Sequence, residues 1–147
     1  MSNQSYRIRL LEKEDFERGF FETLENLRSV GNLSVERARE IYGEIKSNPN
    51  HTVYIAELDG QVVGVTTLLT EPKFIHEGGR VGHIEDVATR KGYEGKGIAT
   101  ALISTAVEEA RRRGCYKVIL DCSLSNVPWY VKLDFYPHEI EMRKDLK

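Results

Sequence analysis

Polar and apolar residues alternate over residues 6–11, with Tyr6, Ile8 and Leu10 set against Arg7 and Arg9, the two-residue period of a half-buried strand. The period then lengthens. Glu12, Glu14 and Asp15 open a stretch in which Phe16, Phe20, Leu24 and Leu27 share one face, which predicts a helix to about Arg28. Gly31 ends it, and Ser34 is placed to cap a second amphipathic helix running to about Lys46. A turn at Asn48, Pro49 and Asn50 leads into two β-rich runs, residues 52–58 and 61–70, joined by Asp59-Gly60, a strong hairpin signal. Residues 71–80 read as a loop and residues 82–89 as another strand.

Downstream, residues 90–97 (Arg-Lys-Gly-Tyr-Glu-Gly-Lys-Gly) form a glycine-rich turn that runs straight into a helix. In that helix Ile98, Leu102, Ala106 and Ala110 align with Ile103 and Val107 near a 3.6-residue period. Arg111, Arg112 and Arg113 suit its negative C-terminus as a solvated end, and Gly114 stops it. Residues 116–122 are almost continuously apolar, which predicts a central strand covered on both faces. A short helix over 126–133 and a last strand over 139–144 complete an order of strand, two helices, antiparallel meander, and strand–turn–helix–strand. That order predicts one mixed α/β domain spanning residues 1–147.

Composition narrows the functional classes. The 147 residues suit one domain, which at this size buries a sizeable core without staples. With 21 basic against 23 acidic residues the net charge is −2, which argues against a binder that works by neutralising nucleic-acid phosphates. No apolar run approaches the ~20 residues of a membrane helix. Residues 1–7 lack the apolar stretch of a secretion signal, Ser2 stands where myristoylation needs glycine, and the last residues match neither a peroxisomal nor an ER-retention ending. A cytoplasmic protein is expected, and the sequons at Asn3, Asn32 and Asn50 are then chance occurrences. Cys115 and Cys122 lie across a predicted strand, about 23 Å apart at ~3.3 Å per residue, too far for a disulfide. Neither the cysteines nor the four histidines show metal-ligand spacing, so no metal is expected.

A strand that delivers glycines into a helix N-terminus makes an anion site, since the first N–H groups lack partners and the helix dipole adds positive charge. A dinucleotide fingerprint begun at Gly95 and Gly97 needs a third glycine where Thr100 stands, and a P-loop from Gly92 to Gly97 needs Lys where Ile98 stands. Residues 94–99, Glu-Gly-Lys-Gly-Ile-Ala, instead resemble the Gln/Arg-x-x-Gly-x-Gly/Ala signature of the GNAT acetyltransferase superfamily. Gly97 and Ala99 take its small positions, and Glu94 departs from its Gln or Arg. Tyr130-x-Lys132-x-x-Phe135 resembles the family's Tyr-x-Lys-x-Gly-Phe, with Asp134 in place of the Gly, a residue that tolerates a left-handed turn. Residues 73–77, 82–88, 114–122, 126–132 and 141–143 resemble, in order, the family's eukaryotic branch that acetylates glucosamine 6-phosphate.

The resemblance implies the GNAT acyl-CoA N-acyltransferase fold, a central mixed sheet flanked by helices, and acetyl-CoA as co-substrate. The chemistry is attack by a sugar amine on the thioester, which needs a neutral amine, a polarised carbonyl and a proton for the departing thiolate. By the same resemblance the Val87 N–H polarises the carbonyl, and backbone groups of Glu85, Asp86 and Val87 align the pantetheine arm. Amides of Glu94, Gly95, Lys96, Gly97, Ile98 and Ala99 hold the pyrophosphate, with Lys96 as a charge partner. Asn126 contacts the coenzyme, and Tyr130 donates to the thiolate, its alternative being an aromatic that only packs on the core. Glu94 is expected to weaken this site without removing it.

Asp121, at the end of an apolar strand, orients the amine in this reading; otherwise it caps the following helix. On a regular strand Glu85 and Asp86 point to opposite faces, which puts Glu85 near the sugar and leaves Asp86 structural. For the substrate, the resemblance implicates the loop of Lys73, Phe74, Ile75 and His76, together with Arg28 and, in the tail, Arg143 or Lys144, where the family supplies an Arg that a partner subunit can lend. A homodimer is implied, with no nucleic acid or membrane partner. Two other readings stand beside this one: a GNAT enzyme for another amine, such as a protein N-terminus or a polyamine, and a silent acyl-CoA-binding module. The cationic Lys73–His76 loop disfavours a polyamine, and a mere binder has no need of Tyr130 and Asp121 together.

Overall fold

The structure, a computed structural model, describes residues 5–147; the Asn3 sequon and the first four residues of the leader reading lie outside them. Five strands form one sheet in chain order: β1 (Arg7–Leu10), β2 (His51–Leu58), β3 (Gln61–Pro72), β4 (Arg80–Thr89) and β5 (Cys115–Ile119). The first four are antiparallel neighbours, and β5 runs parallel to β4. Asp59 and Gly60 both take positive φ, 50° and 75°, as a two-residue hairpin matched to strand twist requires.

Helices α1 (Phe20–Glu25) and α2 (Val35–Lys46) cover one face of the sheet, and α3 (Ile98–Arg112) covers the other. Under α1 and α2, Phe16, Ile55, Val62 and Val65 are buried; under α3, Leu68 and Ile84 meet Ile98, Leu102 and Ile103. Both faces of β2 and β3 are therefore covered, which is why their apolar runs are nearly continuous. Ser34 caps α2 as expected, its Oγ accepting the Arg37 N–H at 3.1 Å. A short helix α4 (Val127–Val131) follows a 3-10 turn, and Asp134 adopts φ 68°, the left-handed conformation expected of it. Both cysteines are free.

Five expectations are corrected. The helix predicted over residues 12–28 is a 3-10 helix, Lys13–Glu17, followed by α1, with a break at Gly19 (φ 95°). The break sends the Arg18 carbonyl to the Val62 N–H of β3 at 2.7 Å, and a Cβ at position 19 would come within 2.8 Å of Arg90 Nη1. A tertiary hydrogen bond thus overrides the helical period. The loop expected over residues 71–80 is shorter, because β3 runs to Pro72 and β4 starts at Arg80. Its tip is a tight turn in which His76 and Glu77 both have positive φ.

The strand expected to be central, β5, lies at the sheet edge, half-buried and hydrogen-bonded only to β4 among the described residues. The strand expected over 139–144 is absent: from residue 136 onward the tail joins no strand among the described residues and exposes Ile140, Met142 and Leu146. The two go together: because the tail does not pair with the open edge of β5, β5 stays the last strand of the sheet. Arg113 also differs from a solvated helix end. It donates to Glu109, to the Pro49 carbonyl at 2.7 Å and to Thr52 Oγ1 at 3.1 Å, fastening α3 to the start of β2.

Candidate active site

β4 breaks its register at Asp86 and Val87: Ala88 pairs with Val65 and Glu85 with Thr67, so two residues of β4 oppose Thr66 alone. This is a β-bulge, with Asp86 in the left-handed region at φ 51°. The bulge bends β4 and leaves Val87 outside the ladder register, while its side chain packs towards α3. It also corrects the alternation expected here, since Glu85 and Asp86 border the same cavity instead of opposite faces. No sequence signal marks the bulge; a buried Thr66, whose hydroxyl lies 3.4 Å from the Glu85 carbonyl, is its structural counterpart.

That cavity has a volume of about 400 Å³ and lies between α1, α2 and the sheet, lined by Phe20, Leu24, Tyr42 and Leu69 with Glu85 and Asp86 at its polar end. Its size suits a small ligand. A more open groove of about 760 Å³ follows α3 beside Tyr54 and Glu108 and holds none of the expected site residues. Burial raises the Glu85 carboxyl above the usual range, and the charges of Asp121, Asp86 and Glu141 add to the rise while His83 opposes it. Glu85 and Asp121 are thus close enough to feel one another. Asp121 makes no side-chain hydrogen bond or ion pair among the described residues, and the following 3-10 turn has no side-chain cap, so the capping alternative for Asp121 has no support.

The turn before α3 is open. Glu94, Gly95, Lys96 and Gly97 are exposed; Gly95 and Gly97 have φ of 76° and 79°, and no side chain caps the helix. The first amides of a fifteen-residue helix therefore lack side-chain acceptors, and no acidic residue sits in its first turn. These residues fit a diphosphate, and Lys96 adds an exposed cation free of ion pairs among the described residues. Glu94 lies at the start of this turn, its carboxylate held below the usual range by its own N–H and that of Gly92.

Tyr130, on α4, is only 9% exposed, its ring edge-on to Trp129 at 4.8 Å and to Phe135 at 5.9 Å. Burial pushes its hydroxyl pKa up, and Cys122 adds to the rise. The hydroxyl has no hydrogen-bond partner among the described residues, while no buried side-chain polar atom there is left unpaired, so it faces open space. Packing and proton donation are thus compatible duties of one side chain. Asn126, at the N-terminus of α4, is exposed.

The expected phosphate ligands are less concentrated than the sequence implies. Lys73 Nζ is ion-paired with Glu71 at 3.0 Å, and Glu71 also meets His83 Nε2 at 3.0 Å. His76 stacks on Tyr116 with ring centroids 3.9 Å apart, and Phe74 and Ile75 are exposed beside it. Arg28 is exposed past α1 and hydrogen-bonds the Leu27 carbonyl; Arg143 pairs with Asp145, and Lys144 is exposed. Glu71 and His83 are the residues that sequence reasoning missed, because they join through strand pairing twelve residues apart. Among the described residues, no group of three or more His, Cys, Asp or Glu could hold a metal ion.

A bulged β4, a helix whose open N-terminus follows it, and a tyrosine beyond the parallel strand define an acyl-CoA-dependent transferase of the GNAT class. The model of the Acetyltransferase (GNAT) family matches residues 8–135, and the chain belongs to that family, whose members use acetyl-CoA. The chain is 39% identical over 144 residues to the glucosamine 6-phosphate N-acetyltransferase of Candida albicans, covering 97% of each chain. It is 40% identical over 140 residues to the enzyme of the same name from Trypanosoma brucei brucei, covering 95% of each. Among solved structures, glucosamine-6-phosphate N-acetyltransferase from Arabidopsis thaliana superposes with a TM-score of 0.94 at 31% identity, covering 98% of this chain and 100% of that one. The fold class expected from the motifs is therefore correct.

Proposed function

We propose that this chain transfers the acetyl group of acetyl-CoA to the 2-amine of glucosamine 6-phosphate, giving N-acetylglucosamine 6-phosphate. The observation that carries the substrate is the near-full-length similarity to enzymes of that name from Candida albicans and Trypanosoma brucei brucei; the site geometry supports the chemistry. When bound, acetyl-CoA supplies an activated thioester. Amides of residues 94–99 hold its diphosphate, and backbone groups of Glu85, Asp86 and Val87 align the pantetheine arm, with Asn126 alongside. The Val87 N–H, outside the ladder register, donates to the oxygen that gains charge as the amine attacks. Glu85 and Asp121 draw the substrate amine to the cavity and orient it. The amine of glucosamine loses its proton near neutral pH, so a strong base is not required. Tyr130 donates its hydroxyl proton to the departing sulfur, and the proton shed by the attacking nitrogen passes to solvent, from which the tyrosine is reprotonated.

The phosphate is met by Lys73 and His76 of the 73–76 loop, with Arg28 as a further cation, and by Arg143 or Lys144 from the tail of a second copy. Lys73 exchanges its bond to Glu71 for the more highly charged phosphate. Two features support a dimer: the open edge of β5, and the unpaired tail with its exposed Tyr136, Ile140, Met142 and Leu146. An assay of thiol release from acetyl-CoA tests the substrate. Glucosamine 6-phosphate is expected to drive release, unphosphorylated glucosamine far less and a peptide amine not at all. Release with the peptide alone would overturn the assignment.

A further inference from the structure

Glu94 stands where the family signature has Gln or Arg, and a carboxylate beside a bound diphosphate is electrostatically unfavourable. Its contacts show where that charge is used. Oε2 accepts the Gly92 N–H at 2.8 Å, and Oε1 accepts Asn26 Nδ2 at 3.0 Å. The same Asn26 nitrogen donates to the Thr89 carbonyl, the last residue of β4, at 2.6 Å. Asn26 is the C-cap of α1, so one amide side chain ties α1, the end of β4 and the turn before α3 together across 68 residues of chain. The far end of that turn has its own tether, Tyr6 Oη donating to the Gly97 carbonyl at 3.1 Å.

We propose that Glu94 is a positioning residue for acetyl-CoA: clamped by Asn26 and the Gly92 amide, its carboxylate sets residues 92–94 so that the amides of residues 95–99 open towards the diphosphate. The inference rests on the reading that this turn holds the diphosphate. Physically, a turn with glycines at 92, 95 and 97 has much conformational freedom to lose when it closes on a ligand, and a clamp formed beforehand removes part of that cost. A carboxylate suits two N–H donors because both its oxygens accept. A glutamine there keeps one acceptor and turns its NH2 towards a second donor, so it clamps half as well.

The test compares acetyl-CoA with S-acetylpantetheine, which lacks the diphosphate, in the full chain at saturating glucosamine 6-phosphate. The wild type is expected to prefer acetyl-CoA in kcat/KM. Glu94→Ala and Asn26→Ala each raise KM for acetyl-CoA about tenfold with kcat within about twofold and S-acetylpantetheine unaffected. Glu94→Gln falls between, and the double alanine variant is no worse than Glu94→Ala alone, as expected when two residues act as one unit. If the wild type shows no preference between the thioesters, the diphosphate reading fails and the clamp with it. If the wild type discriminates but the variants keep that preference intact, or lose activity equally with both thioesters, the clamp alone is overturned. Should Glu94→Ala fold poorly by circular dichroism, Glu94→Gln and Asn26→Ala decide between the same outcomes.

Discussion

The ring of Tyr130 is held edge-on by Trp129 and Phe135 while its hydroxyl stays unpaired among the described residues, so orientation comes from packing and the polar end faces open space. Tyr130→Phe keeps the ring and removes only the proton. It is expected to lower kcat by about 10²-fold or more with little change in coenzyme affinity, measured by steady-state kinetics beside titration with CoA. An unchanged kcat would reject the donor role. This residue was legible in the sequence because its neighbours Lys132 and Phe135 keep motif spacing. The shared cavity of Glu85 and Asp86 was not, because a bulge depends on how the opposite strand pairs and leaves no period of its own. Glu71 was equally hidden: its partner His83 reaches it across two paired strands.

At the scale of elements, α3 was the most legible, since its buried Ile98, Leu102, Ile103, Ala106 and Ala110 follow the helical period. Its C-terminus shows the limit of local reading, because Arg113 and Glu109 form a clamp whose other half lies on Pro49 and Thr52. Arg112 and Arg113 hold the Glu109 carboxyl down at about 2, against an ordinary value of 4.5. A folded-state pKa below the unfolded one means that the contribution to stability is full above about pH 4.5 and is lost as pH falls towards 2. Glu109→Gln is therefore expected to lower Tm by about 2–4 °C at pH 7, for a loss of about 1 kcal/mol. The difference from wild type should shrink as the pH is lowered from 4.5 towards 2 in thermal melts followed by circular dichroism. A constant difference across that range would contradict the ion-pair origin. The break at Gly19 carries the same lesson: Phe16, Phe20 and Leu24 keep a helical period, yet the Arg18 carbonyl bonds β3 instead of continuing the helix.

On the scale of the whole molecule, the apolar run at β5 and the apolar pattern of the tail were both real, but among the described residues β5 is paired along one edge only and the tail joins no strand. A dimer that pairs these edges predicts a sedimentation mass twice the 16.8 kDa of one chain. Truncation after Phe135 should give a monomer with a raised KM for glucosamine 6-phosphate, since Arg143 and Lys144 leave with the tail. A truncated chain that stays dimeric, with unchanged kinetics, would place the interface elsewhere.

Local patterns, by themselves, determined α2 and α3, the 59–60 hairpin, the anion-ready turn at 94–97 and the motif tyrosine, because each is specified by residues a few positions apart. Only the tertiary structure decided the bulge at 86–87, the edge position of β5, the break at Gly19 and the grip of Asn26 on Glu94. Those depend on hydrogen bonds and packing between segments far apart in the chain, where no sequence period links the partners and only the assembled sheet brings them within reach.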